Sequence, residues 1–108
     1  MALTAEACEP CTTGTGKLDA KEALALLEDL DGWQLGHLET VIEKNWNFKD
    51  FRQAQAFVNK IADIAEAEGH HPDLTFGWGY VMAAITTHKA GGLTRNDFIL
   101  AAKIDALK

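Results

Sequence analysis

The sequence has no lysine- or arginine-rich run, no long apolar run and only two cysteines, and each shortage narrows what the chain can be. Acidic residues outnumber basic ones by 16 to 10, for a formal net charge of -6. Direct nucleic-acid binding needs a basic patch to displace counterions from phosphates, so this balance argues against it. The acidity is spread along the chain and serves solubility better than capture of a cationic partner. No apolar stretch approaches the ~20 residues that span a bilayer. The start, MALTAEACEP, lacks the basic-then-apolar pattern of a signal peptide, so a cytoplasmic protein is expected. Cys8 and Cys11 form one C-x-x-C. A structural zinc site takes four ligands, and no second pair completes it. A thioredoxin-like pair opens a helix after a strand, and the TTGTG that follows Cys11 does neither. Two thiols in a tail are the simpler reading. Internal repeats and low-complexity segments are also absent.

What is present is ordinary globular material. The chain has 108 residues, enough for one domain, with 47% hydrophobic and 24% charged residues. A core of this size is modest, and association with further copies is a natural way to bury more apolar surface. Residues 1–17 end in CTTGTGK and read as a flexible N-terminal tail, leaving 18–108 as the folded domain.

Within that domain the hydrophobic pattern alternates between two periods. Residues 19–30 read as a helix capped by Asp19, with Glu22 three residues on and Leu24, Leu27 and Leu30 at helical spacing. Asp31-Gly32 stops it. Strands are expected at 33–37 and 39–48, the second with Thr40, Ile42, Trp46 and Phe48 on one face. A helix over 50–68 is capped by Asp50 and Gln53, carries an apolar stripe of Phe51, Ala54, Val58, Ile61 and Ala65, and ends at Gly69. Two more strands, 74–78 and 80–88, precede a final helix over 95–107 capped by Thr94. Short links between successive strands favour antiparallel pairing. The order helix-strand-strand-helix-strand-strand-helix therefore predicts an α+β fold: a four-stranded antiparallel sheet with three helices on one face.

Histidine carries the chemical signal. His70 and His71 follow the second helix, and His88 ends a predicted strand, so three of the four histidines sit where elements meet. Glu66 lies one helical turn before His70, and Asp97 lies in the first turn of the last helix. Each has a plain structural explanation, such as a helix-end charge or a capping partner for Thr94. Their coincidence at element ends favours a site. Adjacent histidines point apart and the i, i+4 spacing of a helical metal pair is missing, so acid–base chemistry ranks above metal binding.

The segments Glu66-Ala67-Glu68-Gly69-His70-His71-Pro72, Thr87-His88, Gly92-Leu93-Thr94 and Asp97, with Val81 between, strongly resemble the pterin-4a-carbinolamine dehydratase family. That family is also known as the dimerisation cofactor of a homeodomain transcription factor. The similarity extends back through Asp31-Gly32-Trp33 and Phe48-Lys49-Asp50-Phe51 and covers roughly residues 19–108. The resemblance implies dehydration of a 4a-hydroxytetrahydropterin to the quinonoid dihydropterin, without metal or organic cofactor. This recycles the pterin of aromatic amino-acid hydroxylases. It implies homodimers that join sheets, or homotetramers joined through helices. It places His70, His71 and His88 as catalytic; their places at different element ends lead us to expect His70 and His88 as the acid–base pair and His71 positioning the 4a-hydroxyl. Glu66, Asp97, Trp78 and Thr87 fall in supporting or substrate-binding places. The sequence departs from the family at Gly77, Trp78, Gly79 and Lys89, around the rim of the expected pocket. Alternatives are a non-enzymatic dimerisation module, or action on another pterin such as that of molybdenum cofactor.

A chain beginning at Leu18 is expected to fold and to keep the activity of the full chain, because none of the matched segments lies in 1–17. Circular dichroism and dehydration rates for the truncated protein test this. Normal folding with lost activity would contradict it.

Overall fold

The final turn of a helix and the first turn of another decide where this chain brings its chemistry, and both are set by local capping. A computed structural model describes residues 18–30, 32–36, 40–87 and 90–107. Its elements run α1 (Ala20–Leu27), β1 (Gln34–Gly36), β2 (Val41–Asn47), α2 (Phe51–Glu68), β3 (Asp73–Gly77), β4 (Tyr80–Ile85) and α3 (Arg95–Asp105). The four strands form one antiparallel sheet in the order β1-β2-β4-β3. This is the α+β arrangement that the sequence pattern predicts.

Helix α1 opens with a reciprocal box: Glu22 N–H donates to the Asp19 carboxylate and Asp19 N–H to the Glu22 carboxylate. It ends at Leu27, three residues before the expected Leu30. There Asp29 and Leu30 donate to carbonyls only three residues back, which tightens the last turn out of α geometry. Asp31, part of the expected stop, lies outside the described residues. Helix α2 matches its expected span closely, capped by the Asp50 carboxylate on Gln53 N–H. Its buried face is Ala54, Phe57, Ile61 and Ala65. Phe51, placed in the stripe by spacing, is instead exposed and lies against Phe76, ring centres 5.3 Å apart. Phe57 takes the inward place and packs on Trp46 and Phe48 at 5.0 and 5.1 Å.

The sheet's two faces separate by parity. Ile42, Trp46, Val81, Ala83 and Ile85 are buried, while Asn45, Asn47, Asp73, Thr75 and Tyr80 on the opposite face are exposed. Cross-strand register aligns Ile42 with Ile85 and Trp46 with Val81. Strands β3 and β4 are joined by the two-residue turn Trp78-Gly79, with Gly77 paired to Tyr80. Gly79 is left-handed at φ 83°, and its carbonyl accepts from Phe48 N–H. Helix α3 is the most enclosed element: Phe98, Ile99, Leu100, Ala101 and Ile104 are all buried. Strand β4 ends at Ile85, short of the expected 88. Beyond it, Thr87 forms an isolated antiparallel bridge with Gly92.

Lys44 shares the inward parity of Ile42 and Trp46, a place its charge argues against. It is tolerated because its Nζ donates to Asp105 at 2.9 Å and lies 5.3 Å from the Trp46 ring centre. Asp105 also accepts from Trp33 Nε1 at 3.0 Å. One carboxylate at the end of α3 thereby holds the strand face to the helix layer.

Asp105→Ala is expected to cost about 1–3 kcal/mol, since the indole N–H and the ammonium lose a shared acceptor in a part-buried place. Urea denaturation measures this. An unchanged midpoint would show the cluster to be incidental.

Candidate active site

Helix α2 stops in a Schellman closure. Gly69 takes the left-handed conformation at φ 67°, its N–H donates to the Glu66 carbonyl, and His70 N–H donates to the Ala65 carbonyl. Glycine takes that conformation without the steric penalty of a Cβ. The closure fixes the direction in which His70 and His71 leave the helix, and Pro72 favours an extended His71. The two imidazoles then part. His70 turns inward and is buried, with 8% of its surface exposed. His71 stays outside, and its Nε2 meets the Glu66 carboxylate at 2.9 Å, both side chains being mostly in solvent.

Inside, His70 Nε2 lies 2.5 Å from Asp97 Oδ1. Asp97 is fully buried in the first turn of α3. Its carboxylate also accepts from Thr94 N–H at 2.8 Å and from Thr87 Oγ1 at 2.9 and 3.0 Å. Thr87 Oγ1 lies 2.9 Å from Thr94 Oγ1. Four segments converge here: the exit of α2, the bridge residue after β4, the turn before α3, and α3 itself. Among the described residues, no fully buried side-chain nitrogen or oxygen is left without a partner. The helix N-terminus adds its positive end to the carboxylate's surroundings.

This geometry makes specific demands on hydrogen. A carboxylate accepts, so the His70 nitrogen facing Asp97 carries a proton and Nε2 is the donor. In a neutral ring the basic lone pair is then on Nδ1. An aspartate that holds an imidazole in one tautomer is a recurring device for proton transfer.

Of the residues singled out in the sequence, the structure joins His70, Thr87 and Asp97 in one buried network. Glu66 and His71 form a separate, exposed pair beside it. Trp78 is elsewhere: it occupies the β3–β4 turn, whereas His70 precedes β3 and Thr87 follows β4. At ~3.3 Å per residue, five residues of strand carry that turn roughly 17 Å from the network. The Trp78 side chain is 73% exposed. His88 lies outside the described residues, as does Lys89; in the chain His88 directly follows Thr87. Sequence reasoning took Thr94 as a helix cap and missed its hydroxyl contact. The Thr94-x-x-Asp97 spacing was visible, but nothing local announces a partner at Thr87. Also among the described residues, no group of three or more His, Cys, Asp or Glu is arranged to hold a metal ion, and no helix is long and apolar enough to cross a membrane.

The backbone matches a crystal structure of a transcriptional coactivator/pterin dehydratase from Brucella melitensis with a TM-score of 0.81 at 33% identity, over 85% of this chain and 98% of that one. The fold is thus that of pterin dehydratases. Residues 16–107 fit the family model described as pterin 4 alpha carbinolamine dehydratase, and the chain belongs to that family. Dehydratases are hydro-lyases, so the family defines an enzyme class. Relatives that bear the family's name provisionally include proteins of Methylococcus capsulatus, 45% identical over 97% of this chain and 92% of theirs, and Halorhodospira halophila, 44% identical over 99% and 98%. A second structural neighbour is a pterin dehydratase-like protein identified as a RuBisCO assembly factor in the alpha-carboxysome, with a TM-score of 0.61 at 27% identity, over 71% of this chain and 89% of that one.

Asp97→Ala is expected to destabilise the fold by about 3 kcal/mol, because it strands the His70 ring, the Thr87 hydroxyl and the Thr94 N–H together. Glu66→Ala is expected to change stability by less than about 0.5 kcal/mol, since its pair is in solvent. Denaturant midpoints compare the two. Equal effects would mean that the buried network is not what holds this corner.

Proposed function

We propose that this chain dehydrates a 4a-hydroxytetrahydropterin to the quinonoid dihydropterin. The domain that does so is residues 18–108, working as a cytoplasmic homo-oligomer without metal or organic cofactor. The step belongs to recycling of the pterin of aromatic amino-acid hydroxylases, and a reduction of the product to the tetrahydropterin must follow it. The observation that carries this reading is the His70–Asp97 dyad, buried on the α3 N-terminus in a chain of the pterin dehydratase family.

The reaction breaks the C4a–O bond, and the adjacent ring nitrogen forms the C=N bond with its electron pair. One proton must reach the leaving hydroxyl to make water, and one must leave that nitrogen. With Nε2 committed to Asp97, His70 offers Nδ1 as the atom that takes or returns a proton, and imidazole suits either task near neutral pH. His88, next to Thr87 in the chain, is the second member of the acid–base pair. His71 positions the 4a-hydroxyl from the site's outer side, backed by Glu66. A mostly exposed pair has the freedom to meet a ligand that a buried one lacks. Thr87 holds Asp97. The Trp78 turn would meet the substrate only in an assembly of more than one copy. A non-enzymatic binding role would not require a buried imidazole held by a carboxylate.

Dehydration rates and thermal unfolding together test the reading on His70→Gln, His88→Ala and the double variant. Glutamine keeps an N–H for Asp97, so the fold should survive. Losing a positioned proton-transfer group costs on the order of 10²–10⁴ in rate. A folded double variant with near wild-type rates would overturn the proposed site.

A further inference from the structure

We propose that Thr94 is a positioning residue that acts on His70 through Thr87 and Asp97, by holding the Thr87 hydroxyl that donates to the carboxylate. The inference concerns a residue outside the proposed reacting set. Its catalytic half rests on the function proposed above; its structural half does not.

The argument follows from which atoms can donate. Asp97 is fully buried and accepts, so the Thr87 hydroxyl, within hydrogen-bond distance of both its oxygens, spends its only proton there. The 2.9 Å contact between Thr87 and Thr94 must then be donated by Thr94. Thr94 is the N-cap residue of α3, but its backbone N–H is satisfied by Asp97. Its hydroxyl proton thus goes to Thr87. The order Thr94 O–H to Thr87, Thr87 O–H to Asp97 and His70 Nε2–H to Asp97 is the arrangement in which each donor meets an acceptor. Both threonines are nearly fully buried, so water does not readily replace a missing link.

Removing the Thr94 hydroxyl leaves Thr87 without its donor. The Thr87 side chain is then less firmly held, and so is the Asp97 carboxylate to which it donates. The same pair brackets residues 88–91, with Thr87 bridged to Gly92 and Thr94 two residues beyond. One hydroxyl therefore bears on His70 and on the bridge between Thr87 and Gly92.

The test compares wild type with Thr94→Val, Thr94→Ser and Thr87→Val. Ring ¹⁵N chemical shifts of labelled histidine, at mildly alkaline pH, report the tautomer of His70, with His70→Gln supplying the assignment. Wild type and Thr94→Ser should show one Nε2–H tautomer. Thr94→Val and Thr87→Val should keep that tautomer but show faster solvent exchange of the Nε2 proton, with kcat for a 4a-hydroxytetrahydropterin lowered by roughly tenfold or more and KM little changed. Wild-type proton exchange and wild-type kcat in folded Thr94→Val would overturn the proposal. So would loss of folding in both valine variants while Thr94→Ser stays native, because the hydroxyls would then serve the fold alone. Faster Nε2 proton exchange in the valine variants of a protein whose wild type does not dehydrate pterins would refute the proposed function and leave the positioning role standing.

Discussion

A single buried carboxylate organises this protein. Asp97 has no contact with water and draws donors from three separated parts of the chain. Burying an anion costs several kcal/mol unless nearly every lone pair is engaged. That constraint fixes the rest: α2 must end where His70 can reach inward, β4 must deliver Thr87, and α3 must begin at Thr94. The Schellman turn at Gly69 and the bridge between Thr87 and Gly92 are the backbone devices that meet it.

A second carboxylate, Asp105, does a quieter version of the same work at the other end of α3. It gathers an indole and an ammonium from β1's approach and from β2. Helix α3 is thus tied to the sheet layer at its last turn and to the α2 exit at its first. Lys103 adds a contact to Glu68 at 2.9 Å, joining α3 to the last residue of α2. With both ends fixed, the helix has little freedom to shift, and the imidazole it holds inherits that rigidity.

Much of this was legible in the sequence because the signals were local. Asp50 with Gln53, and Gly69, marked both ends of α2, since caps are chemistry between residues three or four apart. The α+β order followed from a change of hydrophobic period. What stayed hidden was decided at a distance. Spacing alone admits either Phe51 or Phe57 on the inner face, and only Trp46 and Phe48 choose between them. Lys44 looks solvent-facing until Asp105, sixty-one residues away, supplies its counter-charge. His70 and Asp97 were both visible at element ends, but their contact spans 27 positions and no pattern of neighbours encodes it. Adjacent His70 and His71 look equivalent in a sequence and are not: one is enclosed by the fold, the other is left at its surface.

The strand order has a further consequence, for how the site comes into being. Strands β1 and β2 can pair locally, as can β3 and β4, but the central seam between β2 and β4 joins segments on either side of α2. Closing that seam requires non-local contacts, which are the slow ones to form. The network around Asp97 draws on α2, the end of β4 and α3, so it is complete only when these three elements, which flank and follow the β3–β4 hairpin, have docked. A molecule bound there has no partly folded form of the chain to bind. Its affinity therefore adds to resistance against global unfolding, as RT ln(1 + [L]/Kd), instead of merely quieting one loop. In such a protein, occupancy and foldedness are two readings of one equilibrium.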